Sequence, residues 1–242
     1  MTRALGAGAL LMLDGCDSLS QSPEGRSALA SAEDLNRWLQ RRIMARDALA
    51  REYAPSEIST AFRANGSTEV DDPDYRRLAQ GGFADWQLAV DGLVERPLSL
   101  SLTELRALPA RTQITRHDCV EGWSCIGQWT GARLSGVLQM ARLRPAARYL
   151  VFHCADTLEQ MLDGTGQFYE SIDLIDAFHP QTILAYDMNG RALPIAHGAP
   201  LRLRVERQLG YKMAKYVMRI EAIDSLKVPR AAMPSTSSAL RR

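Results

Sequence analysis

A two-residue alternation of apolar and polar side chains returns several times along this chain, and it constrains the fold more than any other feature. Trp86, Leu88 and Val90 alternate with Gln87 and the small Ala89 until Asp91-Gly92 closes the run, and Leu201, Leu203 and Val205 alternate with Arg202, Arg204 and Glu206. Successive side chains of a strand point to opposite faces, so each run reads as a strand with one face on a core. The second would then keep Arg202 and Arg204 on a wet face. Further strands are expected running into Cys119, at 149–154, at 182–187 and at 216–223. Short helices come between them. Ser101-Leu102-Thr103-Glu104 is a capping box opening a helix through Leu108, which Pro109 stops. Residues 133–143, after Thr130-Gly131, and 170–178 also read as helical, and Asn189-Gly190 reads as a hairpin turn. The order predicts an α+β domain of mixed sheets with short helices.

That domain is expected over residues 55–226. Before it, 31–54 predicts an amphipathic helix: Ser31 can cap it, and Leu35, Trp38, Leu39 and Ile43 recur at helical spacing while Arg41, Arg42 and Arg46 lie mostly off the stripe. The stretch from Pro55 to Gly82 is polar and irregular, with Asn65-Gly66 and Asp72-Pro73 as turn signals. A loop of that length in a compact domain is more often functional than idle. Residues 227–242 show no periodicity and predict disorder. At the other end, the apolar run from Ala4 to Leu13 has the length of a signal-peptide core. It leads into Leu13-Asp14-Gly15-Cys16, which is similar to a bacterial lipobox apart from Asp14. Only Arg3 precedes it and there is no twin arginine. Residues 1–30 thus read as an incomplete export or lipoprotein-like signal, which predicts a periplasmic protein with Cys16 as the position a lipid would take.

Composition excludes several classes. With 29 basic and 28 acidic side chains the net charge is +1, so nothing favours nucleic acid or an anionic membrane surface. The four cysteines are too few and too irregularly spaced for a disulfide framework or a zinc finger. No apolar run approaches the roughly 20 residues of a membrane-spanning helix, which predicts a soluble domain.

The chemistry concentrates at Arg116-His117-Asp118-Cys119-Val120-Glu121-Gly122-Trp123-Ser124. A lone cysteine among polar and small residues, beside Arg116 and His117, is a candidate thiolate nucleophile or soft-metal ligand. A buried free cysteine at a strand end is the competing reading.

Taken with Pro180-Gln181-Thr182, Asn189-Gly190 and His197-Gly198-Ala199-Pro200-Leu201-Arg202, the run Cys119-Val120-Glu121-Gly122-Trp123-Ser124 resembles the oxidoreductase molybdopterin-binding domain of the sulfite oxidase family. The resemblance covers roughly residues 60–225 and is closer to the bacterial branch that includes the catalytic subunit of periplasmic methionine-sulfoxide reductase. It implies a sulfite-oxidase-type fold and a molybdenum–molybdopterin cofactor, with Cys119 as the one protein ligand to molybdenum. A single soft thiolate suffices there, because the pterin dithiolene supplies two more sulfurs, whereas zinc would want about four protein ligands. The resemblance implies cofactor contacts at Asn65, Thr68, Glu69, Cys154, His197, Arg202, Met213, Ala214 and Lys215, with Lys212 as a weaker match to Lys215. Cys154 departs from the hydroxyl residue expected there. Trp123 and Arg116 join Cys119 as the expected catalytic set.

The function so implied is two-electron oxygen-atom transfer on a small molecule or a protein methionine sulfoxide. The sequence offers no CxxCH and no axial histidine pair, so no haem is expected and electrons would pass to a partner, by analogy a membrane cytochrome b. Sulfite oxidation is the alternative, since Arg111, Arg116, Arg204 and Arg207 could receive a dianion. A cofactor-free relative acting as a binding module is an alternative of another class. Individually, Arg202 and Lys215 could be solvated charges, His197 a turn cap, and Met188 and Met213 core fillers. Trp123 and Trp129 could wall a substrate funnel or pack in the core. Cys125 reads as a bystander, and His117, Cys119, His153 and Cys154 could form a zinc site only without the usual paired spacing.

Overall fold

The computed structural model describes residues 47–157 and 166–226, with isolated positions before them. Its contacts separate residues 1–48 from 49–242. The export-signal stretch with Cys16, the stripe residues Trp38 and Ile43, the arginines at 41, 42 and 46, and the tail from 227 lie outside the described residues. Among those described, no helix is long and apolar enough to cross a membrane.

Among the described residues, ten strands form two five-stranded sheets. The first has the order β2 (Leu98–Ser101), β1 (Gln87–Gly92), β10 (Val217–Ile223), β5 (Tyr149–Thr157), β6 (Gln167–Asp173). It is antiparallel except where β1 runs parallel to β10, with Val90 opposite Ile220. The second has β3 (Ala110–Asp118), β4 (Ser124–Arg133), β7 (Ile183–Met188) and β8 (Arg191–Ala192), with β9 (Arg202–Arg204) on the free stretch of β7. Among the residues described from 47 onward, helices are α1 (Pro73–Gln80), ahead of the strands, and α2 (Leu102–Ala107), α3 (Leu134–Ala141) and α4 (Leu174–Ala177) between them. This is the mixed-sheet α+β architecture expected.

One core cluster draws on both sheets, with Leu88, Val90, Leu150, Phe152 and Ile220 from the first and Leu184, Tyr186 and Leu203 from the second. The buried face of α3, Leu134, Val137, Leu138 and Ala141, belongs to the same cluster. A second cluster of Trp129, Ile183, Ala185, Met188 and Leu193 holds the alternate residues of β7. Strand β7 is therefore buried on both faces, which is why its sequence Ile-Leu-Ala-Tyr is continuously apolar.

Local signals explain most elements. The Ser101 hydroxyl accepts from the Glu104 backbone N–H at 3.2 Å, and the Glu104 carboxylate accepts from the Ser101 N–H at 2.8 Å, completing the capping box of α2. Asn189 and Gly190 have φ of 50° and 74°, the left-handed pair that a tight hairpin needs.

Several expectations are corrected. Helix does not continue from 31 through 54: Ser31, Ala32, Leu35 and Leu39 are helical, but the chain from Ala48 is not. Tyr53 N–H donates to Ile114 O at 2.9 Å, and the Gln181 side chain takes both backbone groups of Ala50. This extended segment covers the edge of β3, which would otherwise expose unpaired groups. Asp72-Pro73 is not a turn but the start of α1, with the Asp72 carboxylate accepting from Tyr75 N–H at 2.7 Å. A capping residue followed by proline opens helices as readily as turns. Residues 124–133 form a ten-residue strand that was not among those expected. Residues 170–173 are strand, since pairing of Ile172 with Leu150 outweighs local helix preference, and Asp173 then caps α4. Finally, Arg202 and Arg204 are not on a wet face; both are 0% exposed.

Candidate active site

Five separate segments meet at one cavity. The tight turn from β3 to β4 brings Cys119, whose N–H donates to Trp123 O at 2.9 Å while Gly122 takes φ of 85° to close the turn. Cys119, Val120 and Glu121 line one side of the cavity; Asn65, Gly66 and Ser67 line another; Tyr211, Met213 and Lys215 complete it with Asp156 and Phe168. The long segment before α1 thus does supply part of the site.

Two buried cations tie these segments together. Arg202 donates to Asn65 Oδ1 at 3.0 Å and to His197 O at 3.2 Å, both neutral acceptors, and its Nε has no partner. Lys215 Nζ donates to Asn65 O at 2.9 Å, to Ala196 O at 2.8 Å and to Ser67 O. Gly198 permits that packing: φ is 108° and a Cβ there would stand 2.9 Å from Lys215 Cβ. Arg204 is different, because Glu206 accepts from its Nη2 at 2.7 Å and from its Nε at 2.9 Å. Arg204 also donates to His117 Nδ1 at 3.1 Å. Burial, then Arg204, pushes the His117 pKa down to about 2, so the ring is neutral. With Nδ1 accepting, the proton sits on Nε2, a buried donor without a partner. Burial and Arg202 likewise take His197 down to about 4, and its Nδ1 is also unpartnered.

Burial lowers the Arg202 pKa to about 9, with Arg204 adding to the effect. Lys215 falls to about 7 through burial and then Arg202. A buried guanidinium whose bonded partners are neutral, beside a buried ammonium and unpartnered imidazole nitrogens, is costly unless an anion completes it. A phosphate does so, and Arg and Lys are its usual donors. The residues present fit a molybdopterin: cations for its phosphate, a thiol facing the same cavity for a soft metal, and buried Asp156, whose Oδ1 has no partner, to accept from a pterin N–H.

Of the residues named from sequence, the structure brings together Asn65, Cys119, Met213 and Lys215 at the cavity and joins His197 and Arg202 to it through hydrogen bonds. Ala214 is buried, its carbonyl accepting from Leu203 N–H. Thr68 and Glu69 are exposed and outside the lining. Cys154 is not brought there: it belongs to the main core cluster, with its Sγ 3.7 Å from Phe152 O. Arg116 points to solvent against Asp118 at 2.9 Å, so with His117 neutral the charge expected beside Cys119 is not its sequence neighbours'. Trp123 packs on His117 with ring centroids 5.6 Å apart, whereas Trp129 is fully buried against Phe62. His153 binds Glu221 at 2.9 Å, and no group of three metal-ligating side chains occurs among the described residues. Lys212 pairs with Glu170 at 2.6 Å, away from the Lys215 cluster's carbonyls. Sequence reasoning missed Asp156. Strand β5 runs three residues past Cys154, and an acid following apolar Ala155 in a buried strand was the available signal.

The family model for the oxidoreductase molybdopterin binding domain matches residues 77–228. The chain belongs to this family. It is therefore a molybdopterin-type oxidoreductase domain. A protein of Azospira oryzae that bears the name protein-methionine-sulfoxide reductase subunit YedZ1 is 35% identical over 228 residues, 93% of this chain and 80% of that protein. The protein-methionine-sulfoxide reductase catalytic subunit MsrP of Xanthomonas campestris is 37% identical over 159 residues, 62% of this chain. The chain spans 48% of that relative's length. Among solved structures, the sulfane dehydrogenase SoxCD from Paracoccus pantotrophus shares the fold with a TM-score of 0.52 and 25% identity, over 59% of this chain and 39% of that one.

Proposed function

We propose that this chain binds a molybdenum–molybdopterin cofactor through Cys119, Arg202, Lys215, Asn65 and Asp156, and reduces a neutral sulfoxide. The substrate is a small sulfoxide or a methionine sulfoxide in a protein. The bound cofactor supplies two-electron oxygen-atom transfer, and the balance is sulfoxide plus two electrons and two protons giving sulfide and water. The chain's own groups hold and orient. Cys119 offers a thiolate to the metal, and the Arg202 and Lys215 pair anchors the phosphate.

The composition of the cavity wall favours a sulfoxide over sulfite. A dianion needs free guanidinium groups, yet Arg111 is paired with Glu52, Arg116 with Asp118 and Arg204 with Glu206. None of them, nor Arg207, lines the cavity; Val120, Phe168, Tyr211, Met213 and Glu121 do. In this reading the chain carries no haem, electrons arrive from a separate membrane cytochrome b, and the protein works in the periplasm. The relative named as a reductase subunit supports a multi-component enzyme.

Protein purified from a molybdopterin-competent host should contain about one molybdenum per chain, by elemental analysis. Cys119→Ser should lose sulfoxide reduction while its thermal unfolding stays close to the parent's. Activity surviving that change would overturn the ligand assignment, and a chain that holds no molybdenum would favour a cofactor-free binding module.

A further inference from the structure

One charge at the cavity has no part in holding the cofactor. Among the described residues lining it, Lys215 and Asp156 are buried and are the charged groups assigned to the cofactor. Glu121 is the exposed charged side chain of the wall, with 47% of it open to solvent. It is also held in place. The Trp123 indole N–H donates to Glu121 Oε2 at 3.0 Å, and Trp123 is itself fixed by packing on His117. Arg63 approaches the same oxygen at 3.6 Å while its guanidinium lies 5.5 Å from the Trp123 ring centre. Arg63 is 65% exposed and outside the lining, so of this pair it is the carboxylate that faces the cavity.

We propose that Glu121 is the specificity-determining residue of this cavity, a tethered negative charge that admits neutral oxo-compounds and repels oxyanions. The idea deepens the reading of a neutral sulfoxide substrate and rests on it. A dianion within a few ångströms of a fixed carboxylate is disfavoured on the order of tenfold at low ionic strength, and salt screens the effect.

The test uses the molybdenum-loaded enzyme and sulfate, a dianion that undergoes no redox step, titrated by calorimetry at low ionic strength. Glu121→Gln should bind sulfate about tenfold tighter than the parent, with the gap narrowing as sodium chloride is added. Glu121→Asp should keep the parent's weak binding, and Arg63→Gln should weaken binding further. Equal sulfate affinity in parent and Glu121→Gln, or none in either, would overturn the proposal.

A second arm compares methylsulfinylacetate with its neutral amide: the ratio of kcat/KM for the anion over the amide should rise about tenfold in Glu121→Gln. If the parent reduces neither compound but Glu121→Gln still gains sulfate affinity, the sulfoxide reading fails and the charge selection stands.

Discussion

Lys215 sits among three carbonyl oxygens, from Asn65, Ser67 and Ala196, and burial still dominates its titration. Burial and then Arg202 bring its pKa down to about 7, against the pull of Asp156. The folded value lies below the unfolded one, so between about 7 and the ordinary lysine range the unfolded chain holds more protons. Raising the pH through that window therefore stabilises the fold, and lowering it toward 7 removes the gain. For the cofactor-free protein, urea midpoints should climb between pH 7 and about 9.5. Lys215→Met should flatten the climb. Loading the anionic cofactor should flatten it as well, because a bound phosphate restores the preference for the ammonium. A slope unchanged by Lys215→Met would assign the effect elsewhere.

The elements owe their placement to a few close approaches that only glycine permits. Strand β4 crosses β7 with a register shift between Thr130 and Gly131. A Cβ at Gly131 would lie 2.1 Å from Leu184 O and 2.5 Å from its carbonyl carbon. Backbone cannot yield as a flexible side-chain end can, so the strands would have to separate. Gly131→Ala should cost on the order of 1–3 kcal/mol in chemical denaturation. Its effect should reach the site, because β7 also pairs with β9, which carries Arg202 and Arg204. Near-normal stability in Gly131→Ala would show that the contact can relax. At Gly210 the backbone lies against the His117 ring, where a Cβ would be 2.3 Å from Nε2, so the turn that presents Tyr211 is seated directly on the imidazole.

For the molecule as a whole, site and stability oppose each other. Arg204 has Glu206 as a buried counter-ion, while Arg202, equally buried, has neutral acceptors and a bare Nε. An ion without its counter-ion in the interior costs free energy that cofactor binding recovers. Arg202→Met should therefore leave the cofactor-free protein about as stable as the parent in urea, although it deletes two hydrogen bonds. The same variant, made in a molybdopterin-competent host, should retain little molybdenum. A loss of more than about 2 kcal/mol in the cofactor-free state would instead make Arg202 a structural residue. The parent should gain thermal stability on loading, by an amount that the variant lacks.

Periods and caps were legible in the residues themselves, because they depend on neighbours a few positions away. The alternation at 86–90, the box at Ser101 and Glu104, and the Asn189-Gly190 turn all appear in the structure at those places, and the run at 201–205 holds a short strand although not the wet face expected of it. The Cys119 motif and the His197–Arg202 run likewise carried the family, which the matches to known proteins bear out. Other features depended on what lies across the fold. The close approaches of Phe62 to Gly127 and of Leu184 to Gly131 have no mark in the local sequence. Arg202 and Arg204 read as solvated until both faces of β9 prove covered. Asp156, Glu121 and Ser67 became site residues only when chain segments distant in sequence closed around one cavity. Sequence alone determined the class of fold, because local spacing encodes it, and the family, because its motifs are contiguous runs. Tertiary structure decided which charges are compensated and which are left for a ligand, because a charge's solvation depends on everything packed around it.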